Sequence, residues 1–219
     1  MKALNSRYKK RFTNKSFIIS LATAISMLLL SFVINFYAGT YATNNASNSV
    51  QDIFLSNTPV VDVDVIFLYG PILFWMVVLG IGLYDPKKLP FGLKSIALFI
   101  VVRSIFITLT HIGPFPDQIF LNEEHISWMN KFTFGADLFF SAHTGLPFLM
   151  ALVIWDNKFF RFLFIGTAIF FGIIVLLGHL HYSIDVLSAF FITYTIYHIA
   201  EIIFKKDKNL FDEKVEVTN

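Results

Sequence analysis

Gly178-His179-Leu180-His181-Tyr182-Ser183-Ile184-Asp185-Val186 is a short polar break between two apolar runs, about 160–178 and about 183–204. Each run is near the ~20 residues an α-helix needs to cross ~30 Å of hydrocarbon. The break is therefore the connection between two membrane helices, with the second helix starting inside it. Two imidazoles and a carboxylate fall within it. His181 and Asp185 are four apart, so on a helix they share one face. There the carboxylate can hold one ring nitrogen as a donor. The other lone pair stays free to act as base, nucleophile or metal ligand.

Composition agrees with a membrane solvent. Of 219 residues, 56% are hydrophobic and 15% charged, with mean hydropathy +0.66, whereas soluble domains carry about 25% charged residues. There is no cysteine, which excludes disulfides, thiolate nucleophiles and Cys-ligated metals. The net charge of +2 says little by itself, and the placement of the charges says more.

Residues 1–15 are basic (Lys2, Arg7, Lys9, Lys10, Arg11, Lys15). The uncharged run that follows exceeds the h-region of a secretory signal, so a retained helix is expected over about 17–38. Further spans are expected at about 65–84, with Gly70-Pro71 as a kink, at 94–112, 138–155, 160–178 and 183–204. Lys and Arg concentrate in the N-terminus, the 85–94 turn, the 156–161 turn and the tail 205–219, which reads as polar and frayed. The connections 39–64, 113–136 and 179–183 have almost none; Asp117, Glu123 and Glu124 make the second acidic, and Trp128 suits an interface anchor. The expectation is an all-α polytopic membrane protein. It has a basic cytoplasmic N-terminus (1–15), a six-helix catalytic domain (16–204) and a cytoplasmic tail (205–219). By the positive-inside rule both termini are cytoplasmic.

That topology brings Asp137-Leu138-Phe139-Phe140-Ser141-Ala142-His143-Thr144 to the same face as the 178–186 break. Both helices begin there, and free N–H groups with a positive dipole end suit a phosphate. Ionisable residues inside a membrane are functional candidates by default. Arg103, midway along the third span, needs either an ion pair, with Asp137 or Asp185, or a phosphate. His111, His125 and His198 each stand alone and read as structural, and His179 as interfacial. Glu201 can reach water or the terminal lysines. The 27 phenylalanines read as lipid-facing and core filling.

The two polar segments also match a family pattern. Gly135-Ala136-Asp137-Leu138-Phe139-Phe140-Ser141-Ala142-His143-Thr144 resembles the Gly-Asp-x3-Ser-Gly-His-Thr segment of sphingomyelin synthases. His181-Tyr182-Ser183-Ile184-Asp185-Val186 resembles their His-Tyr-x-x-Asp-Val segment. Arg103-Ser104-Ile105-Phe106-Ile107-Thr108, and Asp52-Ile53-Phe54-Leu55 followed by Pro59, are weaker likenesses in the same order. The wider group is the type-2 phosphatidic acid phosphatase superfamily, which works through a phosphohistidine without metal or other cofactor. The resemblance implies that His181 is the nucleophile, Asp185 its orienting carboxylate and His143 the general acid and base. Arg103, Asp137, Ser141 and Tyr182 are the implied substrate contacts. The sequence departs from the pattern at Ala142, where the family usually has Gly. It also departs from the Lys-x6-Arg-Pro segment of the phosphatases and from their Arg six residues before the nucleophile: Ile96 stands at the Lys position, Ser104 at the Pro position and Val175 at the second Arg position.

A phosphomonoester carries about −1.5 to −2 at neutral pH and a diester one charge. A site with one Arg suits the diester. The expected partners are a membrane phospholipid donor and a lipid alcohol (ceramide or diacylglycerol) or water as acceptor, with no nucleic acid; self-association stays open. A bacterial cytoplasmic membrane, with the site on its outer side, is the expected setting. The rivals are a lipid phosphate phosphatase, a metal-dependent hydrolase using His143, His179, His181 and Asp185, and a non-enzymatic lipid transporter.

Overall fold

The structure is a computed structural model describing residue 8, residues 11–116, residue 118 and residues 135–212. The expected roles of Lys2, Arg7, Lys9, Lys10, Asp117, Glu123, Glu124, His125, Trp128 and Lys131, and of the tail beyond 212, lie outside these residues. The described chain is helical, without strands. Its helices are α1 (Lys15–Asn44), α2 (Asp64–Tyr84), α3 (Leu89–Leu109), α4 (Ala142–Val153), α5 (Lys158–Leu177), α6 (Ser183–Ile203) and α7 (Lys205–Asp212). Short 3-10 turns cover Leu55–Asn57 and Pro86–Lys88.

Helices α1, α2, α3 with its preceding turn, α5 and α6 are long and apolar enough to cross a membrane. Their outward faces carry large apolar side chains such as Leu29, Phe32, Leu73, Met76, Phe162, Phe170, Phe191 and Ile202. A bundle apolar on its outside needs a hydrocarbon solvent, and the chain is multi-pass. Asn14 caps α1, accepting from Ser16 N at 2.9 Å, and Asn157 caps α5 through Phe160 N at 3.2 Å. Helix α2 runs without a break through Pro71. Its Gly70 lies so close to α5 that a Cβ there would stand 2.6 Å from Phe171.

The fourth expected span is corrected in length. Helix α4 has 12 residues, about 18 Å at ~1.5 Å per residue, where an 18-residue helix over 138–155 was expected. Arg103 is the cause. In a helix begun at 138, the Phe140 carbonyl would accept from Thr144 N–H. It accepts from Arg103 Nε at 2.7 Å instead, and Thr144 N–H turns to Ser141 Oγ at 3.4 Å. Residues 137–141 therefore stay non-helical, with Ser141 extended as the N-cap of α4. The shortened helix is the centre of the bundle. Leu149, Met150, Ala151, Leu152 and Val153 are all buried, in one cluster with Phe99 of α3, Phe164 of α5 and Ile196 of α6. At Gly145 an added Cβ would meet the Phe99 ring at 2.7 Å and Thr193 Oγ1 at 2.9 Å, so α3, α4 and α6 cross here with no room for a methyl.

Helix α1 lies along α3. It buries Ala24, Ser31, Ala38 and Ala42; the first three are seven apart and so share a face, and small side chains let helix backbones approach closely.

Further boundaries differ from expectation. Helix α1 runs on to Asn44 where an end near 38 was expected. Helix α3 starts at Leu89 rather than 94 and takes Lys94 inside, because Lys94 Nζ pairs with Asp207 Oδ2 at 2.7 Å and reaches Ser20 Oγ at 3.1 Å. Ser20 Oγ donates to the other oxygen of Asp207. The start of the tail is consequently a docked helix, α7, and not a frayed segment. His198 Nδ1 lies 2.9 Å from Glu201 Oε2, and Lys208 also reaches Glu201 at 3.7 Å, in line with structural roles for His198 and Glu201.

Hydrogen bonds between connections define the other end of the bundle. Ser47 N donates to His111 O at 2.8 Å, Val61 N to Leu177 O at 2.8 Å and Ser141 N to Asp185 O at 3.1 Å. The C-ends of α1, α3 and α5 therefore share one end with the N-ends of α2, α4 and α6. That end holds the candidate site.

Candidate active site

The last of those bonds joins the two polar segments. Ser141, the N-cap of α4, donates its backbone N–H to the carbonyl of Asp185 in the first turn of α6. The sequence separates them by forty-four positions; the fold puts the starts of both helices side by side.

Helix α6 begins after Tyr182, whose backbone is extended (φ −72°, ψ 156°). Asp185, three residues on, turns its carboxylate back to accept from Tyr182 N–H at 2.9 Å, which satisfies one of the donors a helix start leaves open. The same oxygen lies 3.3 Å from His181 Nδ1. Asp185 is fully buried and His181 nearly so. A carboxylate only accepts, so it selects the tautomer with the proton on Nδ1 and leaves the Nε2 lone pair available. The His181 backbone is held too, its N–H reaching Val175 O at 3.4 Å.

His143 sits in the first turn of α4. Its ring stacks on Phe67 (centroids 4.2 Å, 26°) and meets Phe171 edge-on at 6.2 Å. Hydrogen bonds link the segments that carry these groups: Arg103 to Phe140, Ser141 to Asp185 and Asp185 to His181. The N–H groups of Ala142 and His143 belong to a first helical turn, where no intrahelical acceptor exists.

The other expected contacts have structural work. Arg103 donates to Phe140 O, to Asp137 Oδ2 at 3.0 Å and to the Asp137 carbonyl, so the ion-pair alternative is realised with Asp137 and not with Asp185. Ser141 is buried and caps α4. Tyr182 is buried, donates its hydroxyl to Gly113 O at 2.7 Å and accepts from Val50 N at 3.2 Å. Burial pushes that hydroxyl above its ordinary pKa, with Val50 N–H opposing and the charges of Asp185 and Asp52 adding to it, so the proton stays on. Its one donor is spent on the backbone.

Asp52 is the residue missing from the sequence-derived site. It lies in the α1–α2 connection, 6% exposed, and accepts Ser183 N–H at 2.7 Å. Its other oxygen accepts from Phe54 N at 2.8 Å and Leu55 N at 3.1 Å. Burial pushes its carboxyl up, but the hydrogen bonds from Ser183, Leu55 and Phe54 overcome that and hold it below the ordinary 3.8. This corrects the expectation of two open helix starts. The first donors of α6 are taken by Asp185 and Asp52, and α4 presents the start without such carboxylates.

His179 is buried rather than interfacial. Its φ is +53°, in the left-handed region that few non-glycine residues adopt, histidine more readily than most. The ring meets Phe115 edge-on at 5.2 Å, and neither ring nitrogen has a hydrogen-bond partner. His111 packs against Tyr41. Among the described residues no three His, Asp or Glu side chains are grouped to hold a metal ion.

A carboxylate-steered imidazole and a second histidine thus belong to two adjoining helix starts of a helical membrane bundle. The family model described as PAP2 superfamily C-terminal matches residues 135–202, about a third of the chain, and includes His143, His181 and Asp185. The match supports the PAP2 superfamily and an enzyme of lipid phosphatase or phosphotransferase type. No curated protein and no solved structure matches the chain.

Proposed function

We propose that the protein moves the phospho-headgroup of a glycerophospholipid to a lipid alcohol, ceramide or diacylglycerol, through a phosphohistidine, as a sphingomyelin synthase-like enzyme. The observation that supports this reading is the junction of the two helix starts by Ser141 N–H and Asp185 C=O, since His143 lies two residues after the first partner and His181 four before the second.

The chemistry follows from the groups present. His181 Nε2 attacks phosphorus, the N–P bond forms and the P–O bond to diacylglycerol breaks. His143 gives its proton to the departing oxygen. Asp185 holds Nδ1–H and stabilises the charge that the ring acquires. The acceptor hydroxyl then loses its proton to His143 and attacks phosphorus, and the N–P bond breaks. The first-turn N–H groups of α4 would face the phosphoryl oxygens. Arg103 acts by pinning 137–140 so that His143 is aimed.

Charge supports a diester donor. Among the described residues the site end carries Asp52, Asp62, Asp64, Asp137 and Asp185 against the single cation Arg103. Ile96 and Val175 are packed in apolar clusters, so neither place supplies the cations that a dianionic monoester calls for. The same asymmetry supports orientation. The other described Lys and Arg residues lie toward the opposite end, so the positive-inside rule puts that end and both termini in the cytoplasm. Helix α4, with the non-helical 137–141 before it, is then the sixth crossing, and the site faces outward from a bacterial cytoplasmic membrane.

The test is purified protein in proteoliposomes with phosphatidylcholine or phosphatidylethanolamine, with and without ceramide or diacylglycerol. Acceptor-dependent headgroup transfer, an acid-labile phosphoenzyme and its loss in His181→Ala are expected, with activity indifferent to EDTA. Release of inorganic phosphate from phosphatidic acid with no diester turnover would replace this reading by the phosphatase one.

A further inference from the structure

The site described so far is made by α4 and α6, yet the turn that carries His181 is held from a third direction. Tyr182 and Ser183 follow His181 directly. The loop after α1 grips both: Val50 N–H binds the Tyr182 hydroxyl at 3.2 Å, and Asp52 Oδ2 accepts Ser183 N–H at 2.7 Å. Leu55, whose N–H binds the same carboxylate, packs in a buried cluster with Tyr182 and with Leu138 of the 137–141 segment. Asp52 is therefore a node with three backbone donors, lying across both halves of the site without belonging to either.

We infer that Asp52 is a positioning residue for the nucleophile. It anchors the first turn of α6 through Ser183 N–H and so fixes the angle at which His181 presents Nε2 while Asp185 holds Nδ1. The inference rests on the reading of His181 as nucleophile. A hydrogen bond to a carboxylate is roughly twice as strong as a neutral one, and an anion suits a helix N-terminus. Asp185 is bound to the same turn through Tyr182 N–H, so rotation of that turn changes the 3.3 Å His181–Asp185 contact directly. Asp52 has a second consequence. It occupies the positive end of α6, which directs the phosphoryl oxygens to α4.

Three variants test this. Asp52→Ala removes the acceptor for all three donors. Asp52→Asn keeps one acceptor oxygen and carries the test should the alanine variant fail to fold. Ser183→Pro in the Asp52→Ala background removes the donor itself; proline suits the first position of a helix, and the extended Tyr182 backbone is compatible with a following proline. Headgroup transfer from phosphatidylcholine is measured in proteoliposomes. In parallel, the 15N spectrum of histidine-labelled protein reads the His181 tautomer without any turnover.

Asp52→Ala is expected to lower kcat about 10- to 100-fold, the scale of a misplaced reacting group, with KM within about twofold and a mixed tautomer at His181. Asp52→Asn falls between. Adding Ser183→Pro changes kcat by no more than about twofold, because that donor has already lost its partner. Wild-type kcat and a wild-type tautomer in Asp52→Ala, with only thermal stability lost, would overturn the inference. So would a further tenfold loss on adding Ser183→Pro, which would make Ser183 N–H a substrate contact. A wild type without turnover or phosphohistidine sinks the proposed function instead, and the tautomer then decides on Asp52 by itself.

Discussion

Replacing Arg103 by Met should unfold the site before it disturbs substrate binding. The side chain is 7% exposed and makes three hydrogen bonds to the 137–140 segment, one of them an ion pair with Asp137 at 3.0 Å. Methionine fills much of the same volume but leaves two carbonyls and a carboxylate oxygen without that donor. Removing one partner of a buried pair costs about 3–5 kcal/mol. The Asp137 side chain is 23% exposed, so water relieves part of the loss and the expected cost is near the lower bound, about 3 kcal/mol. At about 2–4 °C per kcal/mol for a chain of this size, thermal unfolding in detergent, followed by tryptophan fluorescence, should shift down by about 6–12 °C. Asp137→Leu should behave alike. The double variant Arg103→Met/Asp137→Leu should recover part of the loss, because no unpaired charge remains. A guanidinium that served the phosphate instead would give the opposite pattern. Arg103→Met with a Tm within about 2 °C of wild type and a raised KM would refute the reasoning.

Other outcomes follow from the same geometry. Asp185→Asn should lower kcat about 10²- to 10⁴-fold in a steady-state transfer assay while the protein stays folded, since the amide still reaches Tyr182 N–H. Asp52 has a depressed carboxyl pKa, so its contribution to stability is complete above the unfolded value near 3.8 and is lost as pH falls through the lower folded value. A pH series of melting curves should therefore show an acid-side loss in wild type that is smaller in Asp52→Asn. Gly145→Ala places a methyl 2.7 Å from the Phe99 ring and should cost about 1–3 kcal/mol. Gly166→Ala, with nothing within 4 Å, should be neutral or stabilising by up to about 1 kcal/mol, and paired melting curves compare the two. Asp207→Asn should lower Tm by weakening the bond to buried Lys94, with Lys94→Met/Asp207→Leu restoring it.

What could be read from the chain depended on range. The long apolar helices followed from uncharged runs. His181 and Asp185 do pair, but not across a helix face: His181 precedes α6, and Asp185 reaches back over the helix start to it. The start of α6 at Ser183 was legible because the polar break ends there. Asp52 and Ser183 are 131 positions apart, and no local period links them; only the fold shows that this acid belongs to the α6 start. The length of α4 was hidden for a related reason. Leu138, Phe139 and Phe140 are apolar enough to extend a helix, but a distant guanidinium takes the Asp137 and Phe140 carbonyls that the first turns of that helix would have used. Lys94 misled in the other direction. A lysine looks like the border of a span until a carboxylate from the tail is known to reach it. Tyr182 was a substrate contact implied by the resemblance alone, and the partners of its hydroxyl, Gly113 O and Val50 N, are 69 and 132 positions away.

Lys94 and Arg103 both belong to α3, nine residues apart. That spacing is about 13.5 Å along the axis and about half a turn around it. One is tied to α7 and α1 through Asp207 and Ser20, the other to the segment before α4 through Asp137 and Phe140. A rod fastened at two heights on opposite sides can neither slip lengthwise nor roll. Helix α3 is thus the keel of the bundle. Whatever displacement lets a lipid reach the two histidines therefore has to leave this helix in place.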